Sequence, residues 1–116
     1  MTYIPPTQSL RAVVFDLDGL IINTEDLYDQ SGREVLRRRG FEMTDTLREQ
    51  MTGRRAHEAI QLMIDTYRLD DSVQGLLDES ADVFRQFMAT DLRTMPGLGE
   101  LLSHIADAEI PAVVAT

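Results

Sequence analysis

The spacing of apolar residues changes period several times along this chain, and each change marks an element. Residues 11–16 hold a short continuous apolar centre, Val13-Val14-Phe15, which reads as a buried strand of a parallel sheet. Gly19 then permits a turn. Across residues 24–39 the period becomes helical: Leu27, Val35 and Leu36 share a face, and Gly40 supplies a stop. Thr44 is predicted to cap a short helix carrying Leu47 and Met51, which breaks at Gly53. Ala56, Ala59, Ile60, Met63, Ile64 and Tyr67 recur at i, i+3, i+4 and form the clearest amphipathic stripe, expected to be buried. Asp70 or Asp71 is predicted to cap the next helix, whose apolar positions run from Val73 to Met88, with Gly75 weakening its first turn. The chain turns at residues 93–97. A further helix then presents Leu98, Leu101, Leu102 and Ile105, and residues 110–116 read as a second buried strand. Residues 1–9, with Pro5, Pro6 and Ser9, read as a loose leader.

Strand, four helices, helix, strand is the order of an α/β fold with a helical block between two parallel strands. An oversized crossover is uncommon in a compact domain. The expected architecture is therefore an α/β core, residues 1–23 and 91–116, interrupted by a helical insert at residues 24–90. Two strands do not make a stable sheet of this kind alone, so the 116 residues are expected to be part of a longer polypeptide.

Composition narrows the classes. Hydrophobic residues are 43% and charged residues 27%, as in folded globular chains. No apolar run approaches the roughly 20 residues of a membrane helix, and the N-terminus lacks the pattern of a signal peptide; a cytoplasmic protein without a membrane partner is the expectation. The net charge of −9 disfavours a nucleic-acid partner. With no cysteine there is no disulfide, thiolate chemistry or cysteine-ligated zinc. All eleven basic residues are arginine.

The stretch FDLDG places Asp16 and Asp18 at the end of the first strand. Two carboxylates at i and i+2 repel unless a cation sits with them or one holds a proton. Ligands in parallel sheets bind beyond the carboxyl ends of the strands, where Thr116 is also expected. A hard cation such as Mg²⁺ takes one or two carboxylates, carbonyl oxygens and substrate phosphate. A carboxylate is also a nucleophile toward phosphorus, and a protonated neighbour can serve the leaving oxygen. Free amides around Leu17, Asp18 and Gly19 are expected to hold phosphate oxygens. A plain turn is the competing structural reading of these residues.

The segment VVFDLDGLIINTEDLY resembles the first motif of the haloacid dehalogenase-like hydrolases, in the branch with an α-helical cap inserted after it. MPGLGELLSHIADAEIPAVVAT is similar to the return from cap to core, ending on the second motif. Within that superfamily the chain looks most like the beta-phosphoglucomutase and phosphoglycolate phosphatase group. The resemblance implies a Rossmann-like core, incomplete here, with an all-α helical-bundle cap, and Mg²⁺-dependent hydrolysis of small phosphorylated metabolites, sugar phosphates among them, through an aspartyl-phosphate. It implies that Asp16 is the nucleophile and a metal ligand, and that Asp18 is the acid/base whose carbonyl also ligates the metal. Thr116 matches the phosphate-binding hydroxyl and Gly19 the turn glycine. The family's basic third motif and acidic fourth motif are expected beyond Thr116, so these 116 residues alone are expected to be inactive.

Other residues carry a structural reading beside a functional one. Asn23 and Glu25 lie at the expected hinge into the cap, where they can touch substrate; Glu25 is equally an ordinary first-turn acid. Gly53, Arg54 and Arg55 occupy a break between cap helices, where a cation can hold the distal part of an anionic substrate or simply start a helix. The run of Arg37, Arg38 and Arg39 reads as a surface complement to a helix dipole. Tyr28 stands where the resemblance to the phosphoglucomutase leads one to expect histidine, which favours a phosphatase over a mutase; packing is its plainer role. His57 and His104 read as structural or surface residues. Competing functions are a phosphomutase, a non-catalytic binding module and, less fittingly, a phospho-acceptor receiver. Substrate identity and oligomeric state are not legible.

Overall fold

The computed structural model describes residues 9–115; the expected leader up to residue 8, and Thr116, lie outside the described residues. The elements follow the predicted order: β1 (Val13–Asp16), α1 (Thr24–Arg37), α2 (Asp45–Met51), α3 (Ala56–Tyr67), α4 (Val73–Asp91), α5 (Leu98–Asp107) and β2 (Ala112–Ala115). They fall into two compact units. One contains the described segments up to Asn23 and from Arg93 onward; the other is Thr24–Leu92.

In the helical unit α1 and α3 each pack on α4, and α2 packs on α3. Val35, Leu36, Leu47, Ile60, Met63, Leu76 and Val83 form its buried core. Leu27, Val35 and Leu36 are fully buried, as their shared face predicts. α1 ends where Gly40 takes φ +81°, with the Phe41 amide donating to Leu36 O and the Gly40 amide to Arg37 O; only a residue free of a Cβ penalty adopts this left-handed cap readily. Thr44 caps α2 by accepting from the Leu47 amide at 3.1 Å. In α3 the stripe is buried at Ile60 and Met63, whereas Ala56, in the first turn, is exposed. The cap of α4 is Ser72, whose hydroxyl accepts from the Gly75 amide at 3.0 Å, and not Asp70 or Asp71. Asp71 is taken instead by Arg39, with contacts of 2.8 and 2.9 Å.

That pair belongs to a network the sequence reading missed. Arg39 also reaches Glu79 at 2.5 Å, and Arg38 bridges Glu34 and Glu79. The arginine run is therefore a clamp from the end of α1 to α4, with Arg39 half-buried, and not only a surface feature. The Arg37 guanidinium, with Arg38 assisting, holds the Glu34 carboxyl down to about 2, and Arg39 lowers those of Asp71 and Glu79.

In the other unit β1 and β2 pair in parallel, Val13 opposite Ala112 and Asp16 opposite Ala115. The expectation of two buried strands is corrected: only Phe15 is buried in β1, and β2 is exposed throughout. Among the described residues the sheet has these two strands. A ribbon of that width lacks the flanking strands and double-sided helix cover that bury a parallel sheet. On α5 only Ile105 is buried, and Leu101 and Leu102 of the expected face stay exposed.

Candidate functional site

The chain turns sharply after β1. Gly19 takes φ +74°, and its amide donates to Ile22 O at 2.8 Å. The Leu17 carbonyl accepts from the amides of Ile21 and Ile22 at 3.1 and 3.3 Å, closing a tight loop. This loop keeps the acids near the carboxyl end of β1: Asp16 is its last residue, Asp18 follows two on, and both are exposed. The Asp16 Oδ1 accepts from the Leu17 amide at 3.0 Å. The expectation of free amides at Leu17 and Gly19 is therefore corrected, because Asp16 and Ile22 accept from them. Thr116, the expected partner across the sheet, lies outside the described residues; its neighbour Ala115 is the residue paired with Asp16.

The donor set is oxygen only, which suits a hard cation bound by one or two carboxylates. No group of three or more His, Cys, Asp or Glu able to hold a metal occurs among the described residues. Two exposed carboxylates suit a hard cation that takes its remaining ligands from elsewhere, and they do not make an all-protein cage.

Asn23 closes the strand-bearing unit. Its Oδ1 accepts from the Arg93 amide at 2.7 Å, and its own amide donates to Arg93 O at 3.0 Å. With Met95 N donating to Ile21 O at 2.8 Å, the outgoing and returning segments are pinned side by side. An amide side chain just before a helix is the one sequence signal of this clamp, and its partner 70 residues away gave none.

In the helical unit Glu25, Gly53 and Arg54 line one cavity of about 620 Å³, together with Asp26, Tyr28 and Arg48. Gly53 takes φ +79° at the break after α2, and the Arg54 Nε donates to Gln50 O at 2.6 Å. Arg55 is not among the lining residues; it is the N-cap of α3, in extended conformation and without a side-chain cap bond. Tyr28 stacks on Phe84, ring centroids 4.1 Å apart and planes 7° from parallel, which is the packing role expected for it. His57 and His104 are exposed. No helix among the described residues is long and apolar enough to cross a membrane.

The profile of the family described as haloacid dehalogenase-like hydrolase matches residues 13–116. The chain is 35% identical over 112 residues to (DL)-glycerol-3-phosphatase 1, mitochondrial, of Arabidopsis thaliana, covering 93% of this chain and 37% of that protein. It is 25% identical to the phosphorylated carbohydrates phosphatase of Thermotoga maritima, covering 92% and 50%. A haloacid dehalogenase-like family hydrolase from Deinococcus radiodurans R1, crystallised with phosphate and sodium, superposes with a TM-score of 0.70 at 25% identity, covering 90% of this chain and 45% of that one. The chain spans half the length or less of these relatives.

Proposed function

The chain belongs to the haloacid dehalogenase-like hydrolases, and from that premise we propose that it carries the nucleophile and the acid/base of a phosphatase for small phosphorylated metabolites. The proposal is made for a parent protein of the relatives' length. In it the strand-bearing unit is the catalytic core, and the helical unit is the inserted cap.

The observation that carries the reading is the placement of Asp16 and Asp18 on a tight loop at the carboxyl end of a parallel strand, both exposed. Asp16 attacks phosphorus; the bond to the leaving oxygen breaks, and Asp18 protonates that oxygen. The Asp18 carboxylate then takes a proton from water, whose oxygen attacks the phosphorus. Phosphate leaves and Asp16 is regenerated. The Leu17 amide, bonded to Asp16 Oδ1, limits rotation of the carboxylate while the other oxygen reacts. Phosphatases of this family generally use Mg²⁺, which when bound neutralises phosphate charge and polarises the transferring group. The Asp16 carboxylate and the Asp18 carbonyl would hold it. Gly19 and the Leu17 carbonyl shape the loop, and Thr116 is assigned to the phosphate side. Glu25, Gly53 and Arg54 are assigned to substrate recognition, with Asn23 and Arg55 supporting the unit boundary and the start of α3.

The relatives named above act, by their names, on glycerol-3-phosphate and phosphorylated carbohydrates, which supports a phosphorylated polyol or sugar as substrate. Those two names and Tyr28 favour hydrolysis over return of the phosphoryl group to sugar. A cytoplasmic location remains part of this reading.

The test is turnover of a sugar phosphate and an aryl phosphate by the parent and two variants. Asp16→Asn is expected to abolish both. Asp18→Asn is expected to lose about 10²–10⁴-fold on the sugar phosphate and much less on the aryl phosphate, whose leaving group needs no proton. Equal losses on both substrates would remove Asp18 from the acid role; normal turnover by Asp16→Asn would end the proposal.

A further inference from the structure

A second cavity, of about 490 Å³, lies in the helical unit beside the first, and the two differ in chemistry. Gly32 of α1, Ala59 of α3 and Ala81 of α4 line it with side chains too short to fill the space between the helices. Ile60, Met63 and Leu77 supply apolar walls. Its volume falls in the roughly 300–1,000 Å³ range of small-molecule sites. The serines of the lining are out of a ligand's reach: Ser31 is buried with its hydroxyl on Leu27 O at 2.7 Å, and Ser80 Oγ is buried as well. The inner end of an occupant therefore meets apolar surface and no hydroxyl of these two serines.

The charge of this lining runs against that of the chain. Acids outnumber arginines 20 to 11 overall, yet the chamber is lined by Arg54 and Arg85 and by no Asp or Glu. The first cavity, by contrast, takes in Glu25, Asp26 and Asp29. Arg54 donates its Nε to Gln50 O and pairs with no acid among the described residues. Arg85 pairs with Asp82 at an exposed position. An apolar body with one negative end matches both the walls and the charge, whereas a cation is repelled. Met51 and Met63, both on the lining, are unbranched and adapt their shape to a flexible chain.

We propose that this chamber binds a medium-chain alkyl carboxylate, the chain among Ile60, Met63 and Leu77 and the carboxylate at Arg54 and Arg85. The site lies within the helical unit and uses neither Asp16 nor Asp18. Its probe carries no phosphate, so failure here leaves the Asp16 chemistry standing, and failure of that chemistry leaves this site standing.

The experiment is titration of the 116-residue chain with decanoate at neutral pH, below micelle-forming concentrations, followed by amide NMR shifts. Butyrate and decyltrimethylammonium are the controls for chain length and for charge. Decanoate is expected to give saturable shifts at Ala59, Met63 and Ala81. Butyrate is expected to bind at least about thirtyfold more weakly, because it buries six fewer methylenes. Decyltrimethylammonium, with the same chain and the opposite charge, is expected to bind about tenfold more weakly. Ala81→Phe, at an exposed helix position, fills the chamber and is expected to abolish decanoate binding while circular dichroism shows the helices intact. The double variant Arg54→Gln, Arg85→Gln is expected to weaken decanoate about fivefold and to erase its advantage over the cation. Absence of saturable shifts with decanoate, either control binding as tightly, or unchanged decanoate binding by a folded Ala81→Phe chain or by the double variant would each overturn the proposal.

Discussion

At Gly75 two demands on one residue oppose each other. Alanine is better than glycine inside a helix by about 1 kcal/mol, yet a Cβ here would lie 2.9 Å from Ser72 Oγ, the atom that caps α4 through the Gly75 amide. Losing such a cap costs about 1 kcal/mol. Gly75→Ala is therefore expected to change stability by less than about 0.5 kcal/mol in the native background and to stabilise by about 1 kcal/mol once Ser72→Ala has removed the hydroxyl. Urea unfolding of the two single variants and the double variant checks this; additive effects would contradict it. Elsewhere at this scale the sequence was a fair guide. Thr44 caps α2 and Gly40 ends α1 because local hydrogen bonding and φ > 0 leave few residue types suitable. The cap of α4 was misread because Asp71, a good cap by type, is held by an arginine distant in sequence.

Arg39 shows how an element's packing escapes a local reading. Three adjacent arginines near a helix end look like a dipole complement, and only the fold brings Asp71 and Glu79 of the α4 region against them. Because Glu34, Asp71 and Glu79 titrate below their ordinary values when folded, their contribution is present above the unfolded pKa and lost as pH falls through the folded one. Thermal stability of the chain is expected to be level above pH ~5 and to fall between about 4.5 and about 2, the window Glu34 spans. Arg39→Met is expected to cost roughly 1–2 kcal/mol at neutral pH and to flatten part of that fall. Calorimetry of both proteins across pH 2–7 measures it; parallel pH profiles would show that the clamp does not carry the acid sensitivity. Element order and type were legible throughout because strand and helix periods differ so plainly, as in the Ile60–Met63 face. Burial of β2 was not, since an apolar run reports a preference for cover and not whether cover is present.

For the whole molecule the contrast between the two units has a dynamic consequence. The helical unit owns the buried cluster, whereas the four-residue strands form a two-stranded ribbon with β2 exposed along its length. Amides of α1, α3 and α4 are expected to exchange slowest in hydrogen exchange, and those of Val113 and Val114 to exchange near the unprotected rate; uniform protection across both units would contradict this. The candidate site was legible to the extent that chemistry and position coincide, as at Asp16 and Asp18. It was not legible in its hydrogen bonding, because the acceptors of the Leu17 and Gly19 amides depend on how the loop closes. The central claim is that Asp16 carries the phosphoryl group between substrate and water. The most direct measurement is mass spectrometry of the parent protein, quenched in acid during turnover of a sugar phosphate with Mg²⁺ and digested to locate the modification. The account predicts one added phosphoryl group on the peptide containing Asp16, absent from Asp16→Asn. A phosphoryl group found on another residue, or steady turnover by Asp16→Asn without one, would contradict it.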